Sequence, residues 1–180
     1  MKKVYSITVC TGGIITDSTM GIFPHYTSTG HIHCQMLDKY GEKLVEKDTR
    51  FVLNTSCIYY GSDFNGRLES ARHILIGKKN LPIMVSLSLG ICMIPLSSPM
   101  KNDTPWISLK YIEDIQPNGA GSIITFQNDV KVEVNITKNV LEDRRNKASR
   151  LFSTYYYRKM MGRGDIDSGF GVAEKPGDYY

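Results

Sequence analysis

Along much of this chain apolar residues recur at every second position. Tyr5, Ile7 and Val9 alternate with Ser6 and Thr8; Ile32, Cys34 and Met36 alternate with His31, His33 and Gln35; Ile107, Leu109 and Tyr111 alternate with Ser108 and Lys110. The cleanest run sets Val130, Val132, Val134 and Ile136 against Lys131, Glu133 and Asn135. A period of two turns one row of side chains to a core and the other to water or a ligand, which predicts half-buried strands. Turn chemistry separates the runs at Lys39-Tyr40-Gly41, at Pro117-Asn118-Gly119-Ala120-Gly121 and at Asn128-Asp129. The last predicts a hairpin between 123–127 and 130–136.

Two stretches follow the helical period instead. In 62–76, Leu68, Ala71, Arg72 and Leu75 share one face, with Gly66 weakening the first turn. The longer stretch opens at Thr137, a residue type suited to N-capping, and runs to Met161 without Gly or Pro. Leu141, Ala148, Leu151, Phe152 and Tyr155 form its apolar stripe, Glu142 and Asp143 lie near its start, and Arg158 and Lys159 lie near its end. Beyond it Gly162, Gly164, Gly169, Gly171, Pro176 and Gly177 predict a flexible tail. The expected fold is α+β: one mainly antiparallel β domain over 1–161, with a short helix and a long C-terminal amphipathic helix, followed by a Gly-rich acidic tail over 162–180.

Composition narrows the class. The chain has 180 residues, 41% of them hydrophobic, and a formal charge of +4, which excludes a fibrous or wholly disordered protein. Cys10, Cys34, Cys57 and Cys92 form no C-x-x-C pair, and a core of this size needs no disulfide staples, so free thiols in a reducing cytoplasm are expected. Lys2 and Lys3 precede too short and too polar a segment for a signal peptide, and the apolar stretch 81–96 is broken by Pro82, Gly90 and Pro95. Neither secretion nor a membrane partner is expected.

Catalytic and metal motifs are scarce. His31 and His33 share a strand face, an arrangement able to bind zinc, yet His25, His73 and scattered cysteines are poor material for the remaining ligands. Solvent-facing histidines are the simpler reading, and no metal or other cofactor is expected. Gly12-Gly13 matches neither a P-loop nor a dinucleotide fingerprint, and neither G-x-S-x-G nor H-E-x-x-H occurs. No enzyme is expected.

Charge says more. Between 138 and 163 eight basic residues (Lys138, Arg144, Arg145, Lys147, Arg150, Arg158, Lys159, Arg163) face two acidic ones, so this segment carries +6 and the rest of the chain −2. Such concentration suits a phosphate backbone, while an ordinary solvated helix face explains it equally well. Arg144 and Lys159 fall inside the apolar stripe and must snorkel or pair. A second basic cluster, Arg67, Arg72, His73, Lys78 and Lys79, follows the turn Gly61-Ser62-Asp63-Phe64-Asn65-Gly66. Its backbone N–H groups are candidates to contact a phosphate; alternatively the glycines serve the turn and Arg67 pairs with Asp63 or Glu69. The segment 164–180 has Asp165, Asp167, Glu174 and Asp178 against Lys175, and so suits competition for the basic helix.

The run Cys57-Ile58-Tyr59-Tyr60-Gly61-Ser62-Asp63-Phe64-Asn65-Gly66-Arg67 resembles the C-x-[FY]-[FY]-G-S-x-[FY]-x-G-R signature of the ComK competence transcription factors. Leu81-Pro82-Ile83-Met84-Val85, Ile94-Pro95-Leu96-Ser97-Ser98-Pro99 and Trp106-Ile107-Ser108 are similar to three further blocks of that family, in the same order. Leu96 stands where the family usually has Thr, and Thr104-Pro105 precedes Trp106 where a cysteine is frequent. The resemblance implies an activator of late competence (DNA-uptake) genes that binds A/T-rich boxes of double-stranded DNA through the minor groove. It also implies a cytoplasmic, nucleoid-associated homodimer or higher oligomer with RNA polymerase and a Clp protease adaptor as partners. The expected DNA contacts are Arg67, Arg72, Lys78, Lys79, Arg144, Arg145, Lys147, Arg150, Arg158 and Lys159, with Gly61, Ser62, Gly66, Pro82, Pro95 and Trp106 as motif residues that shape the fold. The alternative is a regulatory scaffold that acts through protein contacts without DNA.

Overall fold

The computed structural model of the chain describes residues 8–75 and 79–162. In chain order the elements are β1 (Thr8–Cys10), β2 (Thr19–Tyr26), β3 (Ile32–Asp38), β4 (Gly41–Val45), α1 (Thr49–Tyr59), α2 (Phe64–Ile74), β5 (Ile83–Ser86), β6 (Ile91–Pro95), β7 (Trp106–Ser108), β8 (Ile112–Asn118), β9 (Gly121–Phe126), β10 (Lys131–Val134) and α3 (Lys138–Met161). A seven-stranded sheet has the order β1-β4-β3-β2-β7-β6-β5, and a three-stranded sheet the order β10-β9-β8. Every pairing is antiparallel except β1 with β4, so the fold is α+β as expected.

The large sheet is covered on both faces where its strands are most apolar. Trp106 pairs in register with Pro95 and meets Phe64 of α2 edge to face, with ring centroids 6.1 Å apart. Cys92, three residues before Pro95 and therefore on the opposite face of β6, points its Sγ at the Ala148 carbonyl of α3 at 3.8 Å. With α2 on one side and α3 on the other, β5 and β6 are buried along their whole length, which accounts for the unbroken apolar run there. Pro82 is buried at the entry to β5.

Three elements depart from the sequence reading. α1 forms where the sequence pattern predicts no helix: Phe51, Val52, Ile58 and Tyr59 have low helix propensity, and tertiary burial of Val52, Leu53, Ser56 and Cys57 on one face overrides it. The glycine-rich turn read at 61–67 is therefore part of a four-residue corner, 60–63, together with the first turn of α2. The alternation at 107–111 is not one strand, because β7 stops at Ser108 and 109–111 form a 3-10 turn. The hairpin at Asn128-Asp129 forms, with Asp129 at φ +64°. Thr137 occupies the N-cap position of α3, although its side chain makes no capping bond. The segment 162–180 lies almost wholly outside the described residues, as does Lys78.

All four cysteines are free, and burial pushes the Cys57 and Cys92 thiols up to about 12 and raises Cys34 as well. His33 on β3 stands opposite His25 on β2, and among the described residues no three metal-ligating side chains come together. No helix among the described residues is long and apolar enough to cross a membrane.

Candidate nucleic-acid interface

The structure sorts the candidate cations into those consumed by the fold and those left free. The corner between α1 and α2 consumes its polar groups. Gly61 N–H donates to the Ile58 carbonyl at 2.9 Å and Ser62 N–H to the Cys57 carbonyl at 3.1 Å, which is the Schellman pattern of a helix C-terminus. It needs the left-handed φ of +95° that Gly61 supplies. Asp63 then caps α2 by accepting from Gly66 N–H at 2.7 Å, and Asn54 accepts from Phe64 N–H at 3.0 Å. A Cβ on Gly66 would lie 2.9 Å from Ser62 Oγ, so this glycine permits the cap.

The N–H groups of Gly61, Ser62, Phe64 and Gly66 are thus engaged within the fold, which favours the alternative in which the glycines serve the turn. Arg67 pairs with neither Asp63 nor Glu69. Its guanidinium turns back on the corner, donating to the Tyr60 carbonyl at 2.9 Å, and its buried Nε has no partner among the described residues. Nearby, Arg50, which the sequence did not single out, lies over the Phe64 ring at 3.4 Å and donates to the Pro99 carbonyl at 2.8 Å. Burial lowers its pKa.

The first half of α3 is equally committed. Arg144 is only 9% exposed and donates to the Pro95 carbonyl at 2.7 Å. With its amide oriented to satisfy both neighbours, Asn80 accepts from Arg144 at 3.1 Å and donates to the Ser97 carbonyl. Desolvation lowers the Arg144 pKa, against the opposing field of Asp143. Arg144 thus bolts α3 to the end of β6 and does not face solvent, a correction to its expected role as a DNA contact. Arg145 is half-buried between Glu142, at 3.8 Å, and the Ile112 carbonyl. Lys147 pairs with Asp143 at 2.7 Å, and Arg72 pairs with Glu69 at 2.8 Å on α2. The Arg72 hydrogen bond holds the Glu69 carboxyl below its usual range.

Past Leu151 the helix changes character. Leu151 is its last buried residue, and the ten residues that follow extend α3 by roughly 15 Å. Phe152 and Tyr155 still touch the core's margin, where Tyr155 hydroxyl bonds Ser70 Oγ of α2. Beyond them Tyr156, Tyr157, Arg158, Lys159, Met160 and Met161 are all exposed. Tyr156 stacks on Phe152 with ring centroids 6.3 Å apart, and Tyr157 is 62% exposed. Among the described residues Lys79, Arg150, Arg158 and Lys159 are exposed and hold no ion pair. The Ser70 contact joins α2 to α3, so Arg72 on one helix and the free cations of the other belong to neighbouring elements. This overhang combines free guanidinium and ammonium groups with aromatic rings, the equipment for contacting a polyanion.

The family model described as "ComK protein" matches residues 11–160, from the end of β1 to the last turn of α3. A "Competence transcription factor" of Bacillus subtilis (strain 168) is 27% identical over 110 residues, covering 56% of this chain and 57% of that protein. The chain thus matches little more than half the length of that relative. No solved structure matches. The run 57–67 and the Pro95 and Trp106 blocks build the corner, the bolt and the core described above, and with the family model spanning them all, the chain belongs to the ComK protein family.

Proposed function

We propose that this protein is a regulator of competence transcription that binds double-stranded DNA through the outer end of α3. The observation that carries the reading is the overhang past Leu151, where Arg158 and Lys159, with Arg150 two turns earlier, stand exposed and hold no ion pair among the described residues. A narrow A·T-rich minor groove concentrates negative potential, so Arg and Lys inserted there gain electrostatically without reading a unique base pattern. The preference for A/T-rich boxes follows from that argument and from what the family resemblance implies. Lys79, Arg72 and Lys147 add charge from the neighbouring surface, the last two after release from Glu69 and Asp143. Arg67 and Arg144 act through the fold.

The test is an electrophoretic shift series with paired A/T-rich boxes and a G·C-rich control at two or more salt concentrations. Neutralising about six phosphates gives a log–log salt slope near −5, and replacing Arg150, Arg158 and Lys159 together by Ala cuts that slope by roughly half. An unchanged affinity in the folded triple variant favours a scaffold that acts through protein contacts.

A further inference from the structure

The two outer edges of the small sheet are built differently. On β8 the outer edge is blunted. Pro117 pairs with Ser122 and has no N–H to offer, and the register with β9 slips between Ile112 and Asp114. On β10 neither device is present. The Phe126 N–H donates to the Val130 carbonyl at 2.9 Å, and the register then pairs Val132 with Ile124 and Val134 with Ser122. Antiparallel strands alternate the direction of their backbone groups, so Val130, Val132 and Val134 bond to β9 while Lys131 and Glu133 present their N–H and C=O groups to the outside.

The side chains on that edge carry a second signal. Lys131 and Glu133 share the exposed face and flank Val132 symmetrically. An edge guarded by charges of one sign repels a second copy of itself; this edge is complementary to itself. We propose that β10 pairs antiparallel with β10 of a second copy about a two-fold axis through Val132. In that register Lys131 of each chain lies directly opposite Glu133 of the other, and these are the residues whose outward backbone groups exchange hydrogen bonds. Both requirements, main-chain phase and charge, select the same alignment. The two small sheets then join into one of six strands, ordered β8-β9-β10-β10-β9-β8. The edge borders a cleft of about 350 Å³ in which Glu133, Ser97 and Asn135 stand beside apolar residues such as Phe23, Leu96 and Val134.

Sedimentation equilibrium of the full chain without DNA tests the pairing separately from the DNA-binding proposal. The expected result is a dimer. K131E places two glutamates opposite each other and E133K two lysines, and each weakens self-association about tenfold. The double reversal K131E/E133K restores it. E133P removes an outward N–H without removing a bond to β9 and gives a monomer, with circular dichroism reporting that the fold is retained; should E133P fail to fold, the charge-reversal set decides alone. A wild-type chain that stays monomeric, a dimer indifferent to the single reversals, or a double reversal no better than the singles overturns the proposal.

Discussion

The α1–α2 corner and the outer end of α3 both present arginines beside tyrosines, and they use them in opposite ways. At the corner Arg67 caps the Tyr60 carbonyl and Arg50 covers Phe64, so each guanidinium is tied to the fold. Past Leu151 Arg158 and Lys159 are exposed and hold no ion pair among the described residues. The difference lies in backbone supply. A corner between two helices packed on the core leaves carbonyls and N–H groups that side chains must satisfy in place, whereas the end of α3 stands exposed, where water serves the last carbonyls and the side chains are released. The most recognisable stretch of the sequence is therefore architecture, and the proposed DNA-binding surface lies elsewhere in the chain.

The sharpest way to break this contrast is to exchange the effects of the two arginine sets. Ala at Arg150, Arg158 and Lys159 together is expected to weaken binding to A/T-rich DNA at low salt by roughly a hundredfold, while chemical denaturation moves by under about 0.5 kcal/mol per site, as for other exposed positions. Arg144→Ala is expected to do the reverse. It removes a buried charge-assisted bond to Pro95 and packing with it, costing about 2–3 kcal/mol of unfolding free energy, with the remaining folded protein binding DNA as before. At the corner Gly61→Ala forces a Cβ into left-handed φ and costs about 1–2 kcal/mol, read as a fall in melting temperature. Asp63→Ala removes the α2 cap and costs about 1 kcal/mol. A loss of DNA affinity from the corner variants that exceeds their loss of folded protein breaks the comparison.

The buried thiols sharpen it further. Burial favours the protonated form, so the folded pKa of Cys57 and Cys92 stands above the unfolded value. The stabilising contribution is then complete below about pH 8.5 and is lost as pH rises toward 12. Unfolding measured from pH 7 upward is expected to show a plateau followed by a decline. At pH 8 a thiol reagent is expected to modify the half-buried Cys10 well before the three buried cysteines of the native protein.

What the sequence disclosed follows the same division. Strands with one wet face were legible, since Val130 to Val134 could alternate in only one sensible way, and the uninterrupted period of α3 marked its length. α1 was opaque because its residues carry β propensity, although Asp48 before Thr49, and apolar or small residues at 49, 52, 53 and 56, held a helical signal. The charge pattern shows where cations concentrate along the chain, not which of them the fold engages. Position in the stripe showed that Arg144 must find a partner, yet that the partner is the carbonyl of Pro95, 49 residues earlier in the chain, is tertiary information. Nor could the charge pattern show that Asp143 engages Lys147 while Arg150, one turn on, stays free.

Pro117 sets a limit on growth. A sheet with two open edges offers every added copy a fresh place for the next, and assembly then runs on into fibres. Here one edge is sealed by a residue that cannot donate, so strand pairing at β10 exhausts the sheet's capacity in a single event and the product is finite. By the same logic, Pro117→Val would reopen the far side and convert a closed pair into a chain that precipitates with increasing concentration, a change visible as light scattering.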